Sequence, residues 1–251
     1  MVVEAIMTPE QFEEGIEGWR QEVASEYPYE EPLTEWLLNM KEKDGIPLLD
    51  TMEPELKITH RFSKKRKAEG FDWSIRCPSG TLIMNMHSRP GSDRQYANLK
   101  DEFERWFPKW VRHFNISQCH AVTLIYVNSL SRDVTPDLFT SEGDLELGKA
   151  LTVFAGIPGV HERLEPPFDC QVTVRLNPET SLHIRVNDDS SLGRGPTVLV
   201  KLKCTAALRP GHGTVQEALQ LLNWCHERII ERFELVFTTE AKETFGPTRH
   251  P

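Results

Sequence analysis

The chain has 251 residues, 39% of them hydrophobic and 27% charged, which suits one large core or two smaller ones under an ordinary polar surface. No apolar run reaches the roughly 18–20 residues a membrane helix needs, and Met1–Met7 lacks the length and basic flank of a signal peptide, so a cytoplasmic protein with no membrane partner is expected. The net charge of −9 argues against tight, sequence-independent nucleic-acid binding, which depends on neutralising phosphates.

That charge is unevenly spread. Residues 1–55 hold three basic residues, Arg20, Lys41 and Lys43, against fifteen Asp and Glu, a net of −12 that leaves +3 for the remainder. Within this acidic section Val2–Ile6 reads as a short strand. Thr8-Pro9-Glu10 then opens a helix: Thr caps, Pro fits the first turn, and the acid suits the positive end of the helix dipole. Phe12, Ile16, Trp19 and Val23 give that helix one apolar face, and Tyr27-Pro28 ends it. The spacing of Leu33, Trp36, Leu37 and Met40 predicts a second helix over Pro32–Lys43, stopped by Gly45-Ile46-Pro47.

From Leu56 the period changes to two. Leu56, Ile58, His60 and Phe62 alternate with polar residues; strands follow at Phe71–Cys77 and Thr81–His87, joined by Pro78-Ser79-Gly80 as in an antiparallel meander. Tyr96–Phe114 is a helix with a broad aromatic face (Phe103, Trp106, Phe107, Trp110, Phe114), which Pro108 should kink or split. Gln118–Asn128 is an apolar strand. Residues 131–168 are irregular, with a helix expected near Leu145–Phe154. The earlier pattern then returns: strands at Asp169–Leu176, Ser181–Val186 and Thr197–Ala207, a helix at Thr214–Val236 opened by a Thr214/Glu217 capping box, and a short amphipathic tail, Thr239–Phe245.

The fold class is therefore α+β, with antiparallel sheets each packed by a long amphipathic helix and a repeated element order that suggests two similar halves. The expected division is an acidic section at 1–55, strands plus helix and strand at 56–130, a connector at 131–168, and strands plus the C-terminal helix at 169–251.

Several short stretches carry a resemblance. Val3-Glu4-Ala5-Ile6, Tyr27-Pro28, Tyr126-Val127-Asn128, Leu222-Asn223-Trp224-Cys225-His226-Glu227, Phe233, Phe237 and Phe245-Gly246 resemble the pattern of a sporadically distributed family of uncharacterised bacterial proteins. Ile125 departs from it, standing where that family often has Arg. The resemblance implies architecture and no particular chemistry.

Chemistry-bearing residues are few. Cys77, Cys119, Cys170, Cys204 and Cys225 form no CxxC pair and read as buried thiols in a reducing compartment, with no metal site and no cofactor implied. The run Lys64-Lys65-Arg66-Lys67 beside Arg61 could meet a polyanion, or be a solvated hairpin loop. His226-Glu227 lacks the second histidine of His-Glu-x-x-His, because position 230 is Ile. Asp188-Asp189 and Ser190–Gly195 fit neither a phosphate-binding loop nor a dinucleotide fingerprint, and within them Arg194 is the residue to test for ligand contact. His87, Asp72 and Arg185 are the polar groups that could converge on a pocket between sheet and long helix.

Three readings compete. The first is a non-enzymatic module with a protein partner, of antitoxin- or immunity-like role, favoured by charge asymmetry and the lack of catalytic motifs. The second is a small-molecule-binding or enzymatic domain built around that pocket. The third and weakest is nucleic-acid binding through Lys64–Lys67.

Overall fold

The computed structural model describes the chain except residues 38–39, 44–45, 50–54, 66–72, 88–95, 134, 142, 144, 153–168, 189–196, 209–213 and 246–251. It divides into two compact units. The amino-terminal unit comprises Val2–Ser88 and Arg94–Ser117; the carboxy-terminal unit comprises Met1, Arg89–Asp93 and Gln118–Pro251.

In the amino-terminal unit the strand order is β2 (Tyr29–Leu37), β5 (Glu55–Ser63), β6 (Trp73–Arg76), β7 (Thr81–Met86), β1 (Val2–Ala5). A separate hairpin joins β3 (Met40–Lys43) to β4 (Ile46–Leu49). Strand β1 pairs antiparallel with β7, setting Val3 opposite Leu82, and both side chains are fully buried. Helix α1 (Pro9–Ala24) starts where expected. The Thr8 hydroxyl accepts from the Gln11 amide at 3.3 Å, while Gln11 Oε1 accepts from the Thr8 amide at 2.9 Å. Helix α2 (Tyr96–His113) runs through Pro108 as one helix and buries Phe103, Trp106, Phe107 and Trp110. Of the two outcomes expected of Pro108, a kink or a split, the split does not occur, since packing of this face outweighs one lost backbone bond.

The predicted helix over Pro32–Lys43 is wrong: Pro32–Leu37 lie in β2 and Met40–Lys43 in β3, while residues 38 and 39 lie outside the described residues. Pairing with β5 overrides the helical spacing. The register sets Glu31 opposite Arg61, and these two side chains form an ion pair. Pro32 is tolerated because β2 is an edge strand.

Helices α1 and α2 approach closely at Gly15. A Cβ there would lie 2.5 Å from the His113 carbonyl oxygen and 2.7 Å from Phe114 Cδ1. Backbone cannot swing aside as a flexible side chain can. Gly15→Ala should therefore destabilise the protein by about 1–3 kcal/mol despite the better helix propensity of alanine. A urea midpoint unchanged or raised in this variant would contradict the packing.

In the carboxy-terminal unit the order is β8 (Cys119–Ser131), β11 (Thr197–Ala207), β10 (Thr180–Asp188), β9 (Asp169–Asn177). The chain divides before β8, so this strand belongs with the strands that follow it rather than with residues 56–130. The helix expected over Leu145–Phe154 is only the single turn α3 (Leu147–Ala150); Leu151 leaves it in extended conformation and bridges to Phe237, and positions 153 and 154 lie outside the described residues. Helix α4 (Val215–Val236) has the Thr214/Glu217 capping box and packs on β8 and β11 through Ala218, Leu222, Cys225 and Ile229. A short helix, α5 (Thr239–Phe245), closes the chain. Leu130, Leu138, Val186, Val198, Val200 and Phe237 are part of one buried cluster.

Each unit thus repeats one plan. A meander (β5-β6-β7, or β9-β10-β11) is flanked on its last strand by an earlier strand (β1, or β8) and followed by a long helix. The α+β class and the similar order of the halves hold.

Candidate functional site

The basic run begins at Lys64, and this side chain is already engaged. Its ammonium donates to Glu102 Oε1 at 2.9 Å and sits 4.9 Å from the Tyr27 ring centroid and 5.2 Å from that of Trp73. Glu102 also accepts from Arg105 Nη2 at 2.7 Å and from the Tyr27 hydroxyl, and Arg105 reaches Glu26 at 2.6 Å. Burial alone would push the Glu102 carboxyl up; the Tyr27 hydroxyl and the Lys64 ammonium outweigh it and hold the carboxyl below its ordinary range. Lys65 is exposed, while Arg66 and Lys67 lie outside the described residues. Lys64 therefore ties the end of β5 to α2.

Of the four residues singled out for ligand contact, Asp72 and Arg194 lie outside the described residues. His87 is exposed just beyond β7 in the amino-terminal unit; Arg185 is in β10 of the carboxy-terminal unit. The aromatic face of α2 does not floor a pocket, because Phe103, Trp106, Phe107 and Trp110 are fully buried core. A cavity of about 220 Å³ opens elsewhere in that unit, between Phe12, Ile16 and Arg20 of α1 and Thr59, His60 and Phe62 of β5, with Cys77 nearby. Two of its polar groups share one acid: Glu30 Oε1 lies 2.9 Å from Arg20 Nη2 and 2.6 Å from His60 Nδ1.

His226 finds a partner that the sequence does not pair with it. Its Nδ1 lies 2.9 Å from the Tyr126 hydroxyl, and the rings stack with centroids 6.0 Å apart. Strand β8 thus meets α4 through two residues of the motifs quoted above. Four of the cysteines are buried, but Cys170 on β9 is exposed. Among the described residues no three His, Cys, Asp or Glu side chains converge as metal ligands would. None of their helices is long and apolar enough to cross a membrane.

The feature that stands out is the sheet face of the carboxy-terminal unit turned away from α4. Alternation gives one face to α4, where Leu124, Leu182, Val200, Leu202 and Cys204 are buried. The pairing register assembles the other. One cross-strand row reads Thr173, His183, Lys203, Ile125; the next reads Gln171, Arg185, Lys201, Val127. Arg175 and Ser181 extend the first row by one step, Asp169 and Asn187 the second. Rows of this kind place neighbouring cations about 5 Å apart across strands and about 7 Å apart along them.

This face holds Arg175, Arg185, Lys201 and Lys203 against the single acid Asp169. Asp169 is held by Arg185, accepting from Nε at 2.9 Å and from Nη2 at 2.6 Å; that contact first of all draws the carboxyl below its ordinary range. Arg175, Lys201 and Lys203 are paired with no carboxylate among the described residues. His183 is fixed between two hydroxyls, with Thr173 Oγ1 2.8 Å from Nδ1 and Ser181 Oγ 3.1 Å from Nε2. Val127, at 57% exposure, stands at the margin. Arg185 was foreseeable singly. The other three cations go unmarked in the sequence, although each sits between apolar residues: Arg175 between Val174 and Leu176, Lys201 between Val200 and Leu202, and Lys203 between Leu202 and Cys204.

No protein-family model matches the chain, no curated protein matches it, and no solved structure matches its fold.

Proposed function

We propose that the protein is a non-enzymatic interaction module whose carboxy-terminal sheet face docks an acidic partner protein. One observation carries this reading: four cations and a held imidazole lie in register on an open sheet face, opposed by one acid that is already paired. Uncompensated cations of this kind steer and orient an acidic surface more than they add raw affinity. A protein partner is favoured over nucleic acid for two reasons. Among the described residues the face carries no aromatic platform on which bases could stack, and the whole chain is acidic at −9.

The test is a double charge reversal, Lys201→Glu with Lys203→Glu, which leaves the Asp169–Arg185 pair intact. The wild-type protein should bind its partner in a stoichiometric complex that weakens between 50 and 200 mM salt, roughly the range over which the screening length shrinks below the span of the patch. The double variant should lose about tenfold or more in affinity, chiefly through the association rate. Complexes unaffected by the reversal, or abolished by nuclease, would overturn the reading.

A further inference from the structure

We infer that two copies of this chain pair through the outer edge of β9, forming a weak twofold dimer. Among the described residues β9 hydrogen-bonds on one side only, to β10. Along its length, Asp169 to Thr173 and Arg175 are exposed. A bare edge presents a row of unpaired amides and carbonyls, and folded proteins normally guard it with proline, lysine or a run of like charge. The edge strand of the other unit is guarded in this way: β2 carries Pro32 and the acids Glu30, Glu31 and Glu35. Strand β9, Asp-Cys-Gln-Val-Thr-Val-Arg-Leu-Asn, has neither proline nor lysine, and its only charges are one of each sign.

The occupant that fits is a second β9, because the strand is complementary to itself. Antiparallel partners set residues of the same face opposite each other. In the register centred on Val172, Val172 meets its own copy, Cys170 meets Val174, Gln171 meets Thr173, and Asp169 meets Arg175. The twofold axis gives two Asp169–Arg175 pairs. It also covers Val172, which is 57% exposed in the single chain. Asp169 is already oriented for this role by its two bonds to Arg185. Shifting the register by one residue would set apolar side chains against polar ones across the new edge, and shifting it by two would separate the charges. The dimer would join two basic faces into one surface, yet it stands on the edge alone and not on the function proposed above.

Sedimentation velocity on the full chain, from low micromolar to submillimolar concentration, should show a monomer–dimer equilibrium. Val172→Lys places a cation against its copy on the axis and should raise the dissociation constant about tenfold or more. Its side chain is exposed, so the thermal midpoint should be that of the wild type. Val172→Cys in a Cys170→Ser background should cross-link to a covalent dimer under oxidised glutathione, whereas Cys170→Ser alone should not. A chain that stays monomeric throughout, a dimer indifferent to Val172→Lys, or a Val172→Cys variant that fails to cross-link would each overturn the inference. The Lys201/Lys203 double reversal should leave the dimer intact, which separates failure of this inference from failure of the partner reading.

Discussion

Trp106→Ala is expected to cost about 3–5 kcal/mol of stability. The ring is fully buried in α2 and serves as the hub of the aromatic core of its unit. It meets Trp19 of α1 edge-on at 5.7 Å and 84°, and Tyr27 at 5.8 Å and 78°. Lys109 Nζ stands 4.2 Å from its centroid. Truncation removes the transfer energy of the ring and leaves a cavity whose walls are themselves rigid rings, so collapse around it recovers little. Trp106→Phe gives the contrast. Trp106 Nε1 is buried with no acceptor among the described residues, so phenylalanine drops an unmatched donor while keeping most edge contacts, and the loss should stay near 1 kcal/mol. Urea unfolding at neutral pH checks both, and equal losses in the two variants would show that the ring is not the hub.

How much of this core could be read from the sequence depends on where its information lies. Helix α4 was legible to its cap because Thr214 and Glu217 are three residues apart and act within one turn. Helix α2 was legible because its aromatics repeat at helical spacing and all face one way. Strand β2 was not. Leu33, Trp36, Leu37 and Met40 imitate a helix, and what decides against it sits thirty residues away, in the β5 partner strand whose Arg61 pairs with Glu31. Local pattern cannot arbitrate when the deciding contact is non-local.

The candidate face was hidden for the same reason. Arg175, Arg185, Lys201 and Lys203 lie on three strands, and only the register makes them neighbours. The conspicuous cationic run poses the opposite difficulty: its first member, Lys64, spends its charge on Glu102. Proximity in sequence raises the local density of charge, but it does not say which cations have partners.

Glu102 makes that point measurable. Glu102→Gln should cost about 1–2 kcal/mol at pH 7, a figure set by hydrogen bonds to a charged acceptor and reduced because Lys64 and Arg105 are partly open to solvent. The pH dependence follows from the lowered carboxyl pKa of the folded state. A carboxylate that binds its proton less readily when folded contributes stability that is complete above its ordinary range. That contribution is lost as pH falls through the folded value, where the wild-type side chain becomes as neutral as glutamine. The gap between wild type and Glu102→Gln should therefore close on acidification from pH 7 toward the lowered folded value. Glu22, held low chiefly by the His113 ring and also by Lys109, adds a second component of the same sign. That component remains in the Glu102→Gln variant, which should still lose stability in acid, but less steeply than the wild type. Urea midpoints at neutral and acid pH decide the matter. A gap that is constant with pH would mean that Glu102 acts by its shape, and that the charge of Lys64 is not spent there.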